Sequence, residues 1–303
     1  MNTIPIKQKS PQKTYLYSEV FNSIQGEGEY TGVPTAWLRF FLCNLQCNGF
    51  GQKDPTDPSS YVLPYKDLDP SDYDKITDLP VFEYGCDSSY SWAKKFKHLQ
   101  HRGTVDDIDD AIRQTMTNEF NPDGSFRGQH MCFTGGEPLM KHAQECSTAL
   151  VGKWIAGGDY PGSVTYETNG TQELSEEFVR RWSGFKYDVD LFFSVSPKLW
   201  TVAGEKAKKA IRPEIVRTYD DLSPGGQLKF VANGTDECWR EIEDTIKLFR
   251  DAGVGYPVWI MPVGGTKEGQ EEVAGDIANQ AIARGYNVSA RVHCYLWGNV
   301  IGT

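Results

Sequence analysis

Three cysteines carry the densest chemical signal in this chain. Cys43 and Cys47 stand in R-F-F-L-C-N-L-Q-C, and Cys86 opens C-D-S-S-Y-S-W. With the stretch between Asn48 and Gly85 set aside, the pieces join as a C-x3-C-x2-C triad. Three thiolates can hold three irons of a [4Fe–4S] cluster and leave the fourth iron open to a small molecule. Two other readings stand beside it. A tetrahedral zinc needs four ligands, and His98 or His101 could supply the fourth. The three cysteines could also be unrelated.

Other residues have chemistry to offer. In T-G-G-E-P, Gly135 and Gly136 let a ligand approach the backbone, and Glu137 could take an ammonium group. Arg39, on an aromatic-rich segment, can grip a carboxylate in bidentate fashion. Gln25 and Glu27 can read the amide edge of a heterocycle, or simply form a turn. His293, in R-V-H-C-Y-L-W, reads as a structural histidine or a ligand. Cys132, Cys146, Cys238 and Cys294 read as small buried hydrophobes.

Strands alternating with helices must position these groups. Residues 15–21, 35–42, 129–133, 163–167, 191–195, 227–232, 258–261 and 287–292 read as strands. Residues 105–118, 146–157, 176–182, 236–252 and 271–284 read as helices. That alternation predicts an α/β fold with a parallel sheet. T-G-G-E-P, E-T-N-G, S-P-K and M-P-V-G-G all follow strands. In α/β barrels such loops share one face, so they should converge on the cysteine loop.

Residues 1–13 read as a loose tail, and 14–303 as one domain interrupted by an insertion at 48–85. The insertion holds eight Asp or Glu against three Lys, with five prolines. It reads as an acidic surface excursion, or as a lid or docking element. Its ends, Asn48 and Gly85, should lie with Cα atoms within about 10 Å of each other, as in an uninterrupted loop.

With 303 residues and 39% hydrophobic content, the chain can bury a sizeable core. A net charge of −10 disfavours direct binding to nucleic acid. Lys206, Lys208 and Lys209 form a local basic exception that reads as a solvated face. Seven scattered cysteines form no disulfide framework. No signal-peptide core or membrane-spanning apolar run is present, so a cytoplasmic location is expected.

Taken in order, these motifs resemble one family, the 7-carboxy-7-deazaguanine synthases of the radical S-adenosylmethionine superfamily. The resemblance runs from S-I-Q-G-E-G through the cysteine segments, F-T-G-G-E-P, Y-E-T-N-G-T, S-V-S-P-K, L-K-F-V and W-I-M-P to R-V-H-C-Y-L-W-G. It implies a partial (β/α) barrel and a homodimer. It also implies conversion of 6-carboxy-5,6,7,8-tetrahydropterin to 7-carboxy-7-deazaguanine with loss of ammonia, via a 5′-deoxyadenosyl radical. By motif, Cys43, Cys47 and Cys86 would bind the cluster. Gly135, Gly136, Glu137, Thr168, Asn169, Ser194, Ser196 and Lys198 would bind S-adenosylmethionine. Gln25, Glu27, Arg39 and His293 would bind substrate. Ser88 stands where the family usually has Thr in C-D-T, a ligand to Mg²⁺, and its hydroxyl is a competent oxygen donor. A reductant such as a flavodoxin would serve as partner. The rival readings are another radical S-adenosylmethionine enzyme, such as a glycyl-radical activase, and a zinc-binding interaction module.

Overall fold

A computed structural model describes residues 12–298 and 300–302. Among the described residues nine strands make one sheet: β1 (Tyr15–Ile24), β2 (Pro34–Phe40), β3 (His101–Gly103), β4 (His130–Gly135), β5 (Ser163–Thr168), β6 (Asp190–Val195), β7 (Gly226–Ala232), β8 (Val258–Pro262) and β9 (Asn287–Val288). Their order is β3-β1-β2-β4-β5-β6-β7-β8-β9. β1 runs antiparallel to β2 and β3, and every pairing from β2 onward is parallel. β3 and β9 remain edges, so the expected (β/α) barrel is partial and open.

Parallel pairing demands crossover helices. They span Lys141–Gly157, Glu176–Phe185, Pro213–Leu222, Asp236–Asp251 and Lys267–Ala283, with Val105–Met116 leading into β4. Thr104, Ser175, Thr235 and Thr266 cap four of these helices with side-chain oxygens. The helix Pro213–Leu222 escapes the sequence reading, although proline at its first position marks its start.

One strand is shorter than expected. Residues 287–292 read as a strand, but only Asn287 and Val288 pair, with Trp259 and Ile260. The neighbouring strand ends at Pro262, which has no N–H to extend a ladder. The chain turns instead into the helix Val292–Trp297, so His293 is helical.

The insertion contains only short turns of helix, at Pro58–Ser60, Pro64–Asp67, Pro70–Asp72 and Ile76–Asp78. Its apolar residues Tyr65, Ile76, Leu79 and Phe82 bury against Tyr90, Ala93, Phe96 and Leu99 in a small core of their own. Its ends meet. A methyl placed on Gly85 would lie 3.9 Å from the Cα of Asn48, and the Gly85 N–H donates to the Phe50 carbonyl at 2.8 Å. Of the expected tail, residues 1–11 lie outside the described residues, and Lys13 pairs with Glu145. Among the described residues no helix is long and apolar enough to cross a membrane.

Candidate active site

The cysteine loop leaves β2 by a sharp route. Leu42 (φ 97°) and Cys47 (φ 53°) take left-handed conformations that favour glycine. Several contacts hold this shape. The Leu42 N–H donates to the Ser91 carbonyl at 2.8 Å. The Glu205 carboxylate accepts from the N–H groups of Gln46 and Cys47 at 2.8 and 2.9 Å. The Asn44 amide donates to Thr171 Oγ1 at 2.8 Å and accepts from Asn169 Nδ2 at 3.0 Å. Cys43, Cys47 and Cys86 all line one cavity of about 280 Å³. Burial pushes the Cys43 thiol up to about 12 and the Cys86 thiol up to about 11.

The two histidines that the zinc reading would use are placed elsewhere. His98 Nε2 meets the Pro70 carbonyl at 3.0 Å, His101 stacks on Tyr17, and neither lines the cavity. Among the described residues, no three His, Cys, Asp or Glu side chains converge closely enough to hold a single metal ion.

The loops after β4, β5 and β6 form the second wall. A Cβ on Gly136 would stand 2.3 Å from the Leu42 carbonyl oxygen, and one on Gly135 (φ 145°) would strike the Phe40 backbone at 2.4 Å. The two glycines therefore let the β4 loop lie against the cysteine loop. Glu137 differs from its expected part as an ammonium partner. It is fully buried and does not line the cavity. Its carboxylate accepts from Thr168 Oγ1 at 2.7 Å, the Asn169 N–H at 2.8 Å and the Leu139 N–H at 3.0 Å. Glu137 thus ties the β4 loop to the β5 loop, and burial raises its carboxyl to about 7. Thr168, Asn169, Ser194, Ser196 and Lys198 all line the cavity. Lys198 Nζ donates to Ser196 Oγ at 2.9 Å and stands over the Phe50 ring.

The third wall is a charged network. Burial alone would raise the Glu27 carboxyl, yet the ammonium of Lys229 and the guanidinium of Arg291 hold it well below the usual range. Lys229 pairs directly with Glu27 and stands 3.6 Å from Glu167. Gln25 Nε2 donates to Glu167 at 3.2 Å, while its Oε1 accepts from the Glu27 N–H at 3.0 Å. Arg291 bridges Glu27 and Asp87, each at 2.9 Å. Arg39 donates to Glu19 at 2.6 Å and to Ser88 Oγ at 3.3 Å. Ser88 Oγ in turn donates to Asp87 at 3.0 Å. His293 packs on Gly26, where a Cβ would lie 2.0 Å from its Nδ1, and burial lowers its pKa.

Apart from Glu137 and the two histidines offered to zinc, every residue singled out for the site therefore borders the same cavity. Sequence reasoning missed Asp87, Glu167, Lys229 and Arg291, which also line it. For Lys229 a signal existed: a lysine within the apolar strand L-K-F-V has to be paired to be buried.

No protein-family model matches the chain. It is 26% identical to the 7-carboxy-7-deazaguanine synthase of Pyrobaculum aerophilum, over 94% of this chain and 95% of that one. It is 24% identical to the enzyme of the same name from Rhodopirellula baltica, over 99% and 93%. The crystal structure of QueE from Escherichia coli shares the fold with a TM-score of 0.50 at 17% identity, covering 92% of this chain and 95% of that one. With its motifs gathered around one cavity and its likeness extending over nearly its whole length, the chain is a relative of the 7-carboxy-7-deazaguanine synthases.

Proposed function

We propose that this chain is a radical S-adenosylmethionine lyase that converts 6-carboxy-5,6,7,8-tetrahydropterin to 7-carboxy-7-deazaguanine with loss of ammonia. One observation carries the reading. Three thiols separated in sequence by the insertion line one cavity together with the strand-end loops, in a relative of enzymes of that name. Three thiols lining one cavity suit a multi-iron cluster with an open iron.

Cys43, Cys47 and Cys86 would hold the [4Fe–4S] cluster. When bound, cluster and S-adenosylmethionine supply the one-electron chemistry that removes a hydrogen atom from the substrate. The protein supplies binding and orientation. Gly135 and Gly136 offer backbone to the methionine end, and Glu137 acts behind them as a positioning residue. Thr168, Asn169, Ser194, Ser196 and Lys198 line the remainder of the cofactor's side. Gln25, Glu27 and His293 face the heterocycle, and Arg39 meets the substrate carboxylate. Ser88 and the adjacent Asp87 would offer oxygen donors to Mg²⁺. The exposed apolar residues Tyr295, Leu296 and Trp297 on the last helix support a homodimer. The acidic composition disfavours a nucleic-acid substrate and suits a small-molecule enzyme.

The test is anaerobic reconstitution with iron and sulfide. Incubation follows with S-adenosylmethionine, reductant, Mg²⁺ and the carboxytetrahydropterin, read by mass spectrometry. Formation of 7-carboxy-7-deazaguanine, abolished by Cys86→Ala, is the expected result. A protein that binds zinc but neither iron nor sulfide would overturn the proposal. S-adenosylmethionine cleavage with the pterin untouched would overturn its substrate.

A further inference from the structure

We propose that the face formed by Lys206, Lys208 and Lys209 is the docking surface for an acidic one-electron donor protein. The inference rests on the cluster reading above. Each reduction moves one electron from the donor's reduced flavin or iron–sulfur group to the cluster, so the donor is oxidised by one electron. Cys132, Cys146, Cys238 and Cys294 are buried and do not line the triad's cavity, so they offer no relay at the surface.

The route inward is set by packing. On one side the cysteine loop faces the cavity, which substrate would fill. It also packs against the segment 203–210. Leu45 and Cys47 pack on Ala203 and Ala210. The Gly49 N–H donates to the Ala203 carbonyl at 3.0 Å, and Glu205 takes the N–H groups of Gln46 and Cys47. The outer side of this same segment exposes Lys206, Lys208 and Lys209. Lys209 is drawn inward to Glu205 at 3.5 Å. Among the described residues, Lys206 and Lys208 have no acidic partner.

Three lysines over the cysteine loop depart sharply from a chain of net charge −10. Electrostatic complementarity of this kind steers encounter and fixes orientation. The border is charged as well. Pro55 and Tyr61 of the insertion press on Gly204, and the neighbouring Asp54 and Asp57 are exposed. Their repulsion confines an acidic partner to the lysine side. A nucleic acid would need a longer basic track than this patch provides.

The test uses the reconstituted holoenzyme and the variant Lys206→Glu/Lys208→Glu. Lys209 is left in place because it contacts Glu205. Cluster reduction is followed by rapid-mixing absorbance, with either a reduced flavodoxin or dithionite as reductant. The variant is expected to be reduced by the flavodoxin at least about 10-fold more slowly at low ionic strength. It should also lose the salt dependence that the parent shows, while its dithionite rate stays unchanged. Equal flavodoxin rates would overturn the docking surface and leave the cluster reading intact. An equal fall with both reductants would also overturn it, since the substitutions would then act on the cysteine loop itself. A parent protein without iron or sulfide, seen before any mixing, would overturn the cluster reading and the docking surface together.

Discussion

At Lys229 a single ammonium stands between two carboxylates in a strand whose residues are all buried. Glu27 keeps a second cation in Arg291, but among the described residues the Glu167 carboxylate pairs only with the Gln25 amide and Lys229. Removing one partner of a buried ion group strands the other charge. Lys229→Met should therefore cost about 3 kcal/mol of stability, measured by urea unfolding. It should also weaken substrate binding, because both carboxylates lose the group that fixes their orientation. Combining it with Glu27→Gln should recover part of the stability loss. Strict additivity of the two substitutions would show that the pair is not coupled. This network was hidden in the sequence because ion pairing joins residues about 200 positions apart. Arg39, Gln25 and Glu27 were legible as polar groups near the cysteine loop. Their partners Glu19 and Lys229 were not.

Between elements, the strand ends away from the cavity are fastened by His130. It begins β4 and meets Thr35 of β2 at 3.0 Å and Thr165 of β5 at 2.8 Å, with its ring against Tyr30. Burial lowers its pKa to about 4, against about 6.5 in an unfolded chain. Between these values the unfolded state binds a proton that the native state does not. The contribution of His130 is thus complete above pH 6.5 and is lost as pH falls toward 4. Going from pH 7 to pH 5 should remove about 2 kcal/mol through this residue. Urea unfolding of His130→Gln should show a correspondingly flatter pH slope than the parent, and parallel slopes would refute the assignment. The elements themselves were mostly legible, because β-branched runs ending in glycine-rich turns mark parallel strands well. The last strand was overextended: residues 287–292 pair only as far as Val288, and the chain then turns into the helix Val292–Trp297.

For the molecule as a whole, the main question is what the acidic excursion is to the rest. Charge and proline content set residues 48–85 apart, and the rejoined cysteine spacing requires their ends to meet. What could not be read is that the excursion shares its core with the chain after Cys86. Phe82 is buried, lies against Tyr65 and Phe96, and also lines the cavity with Val81 and Glu83. The aromatic residues concerned are too irregularly spaced for any periodicity to expose that shared core. A short flexible linker in place of residues 52–83 would uncover Phe96 and Leu99, both now buried. At about 1.5–3 kcal/mol for each large apolar side chain, that loss consumes much of the ~5–15 kcal/mol a domain possesses. The shortened protein should therefore unfold at markedly lower urea than the parent. Phe82→Ala alone should cost about 3–5 kcal/mol and should loosen substrate binding while leaving iron content unchanged. If the shortened chain instead kept the parent's stability and cluster, the excursion would be a separable surface module, and the cavity would owe it nothing.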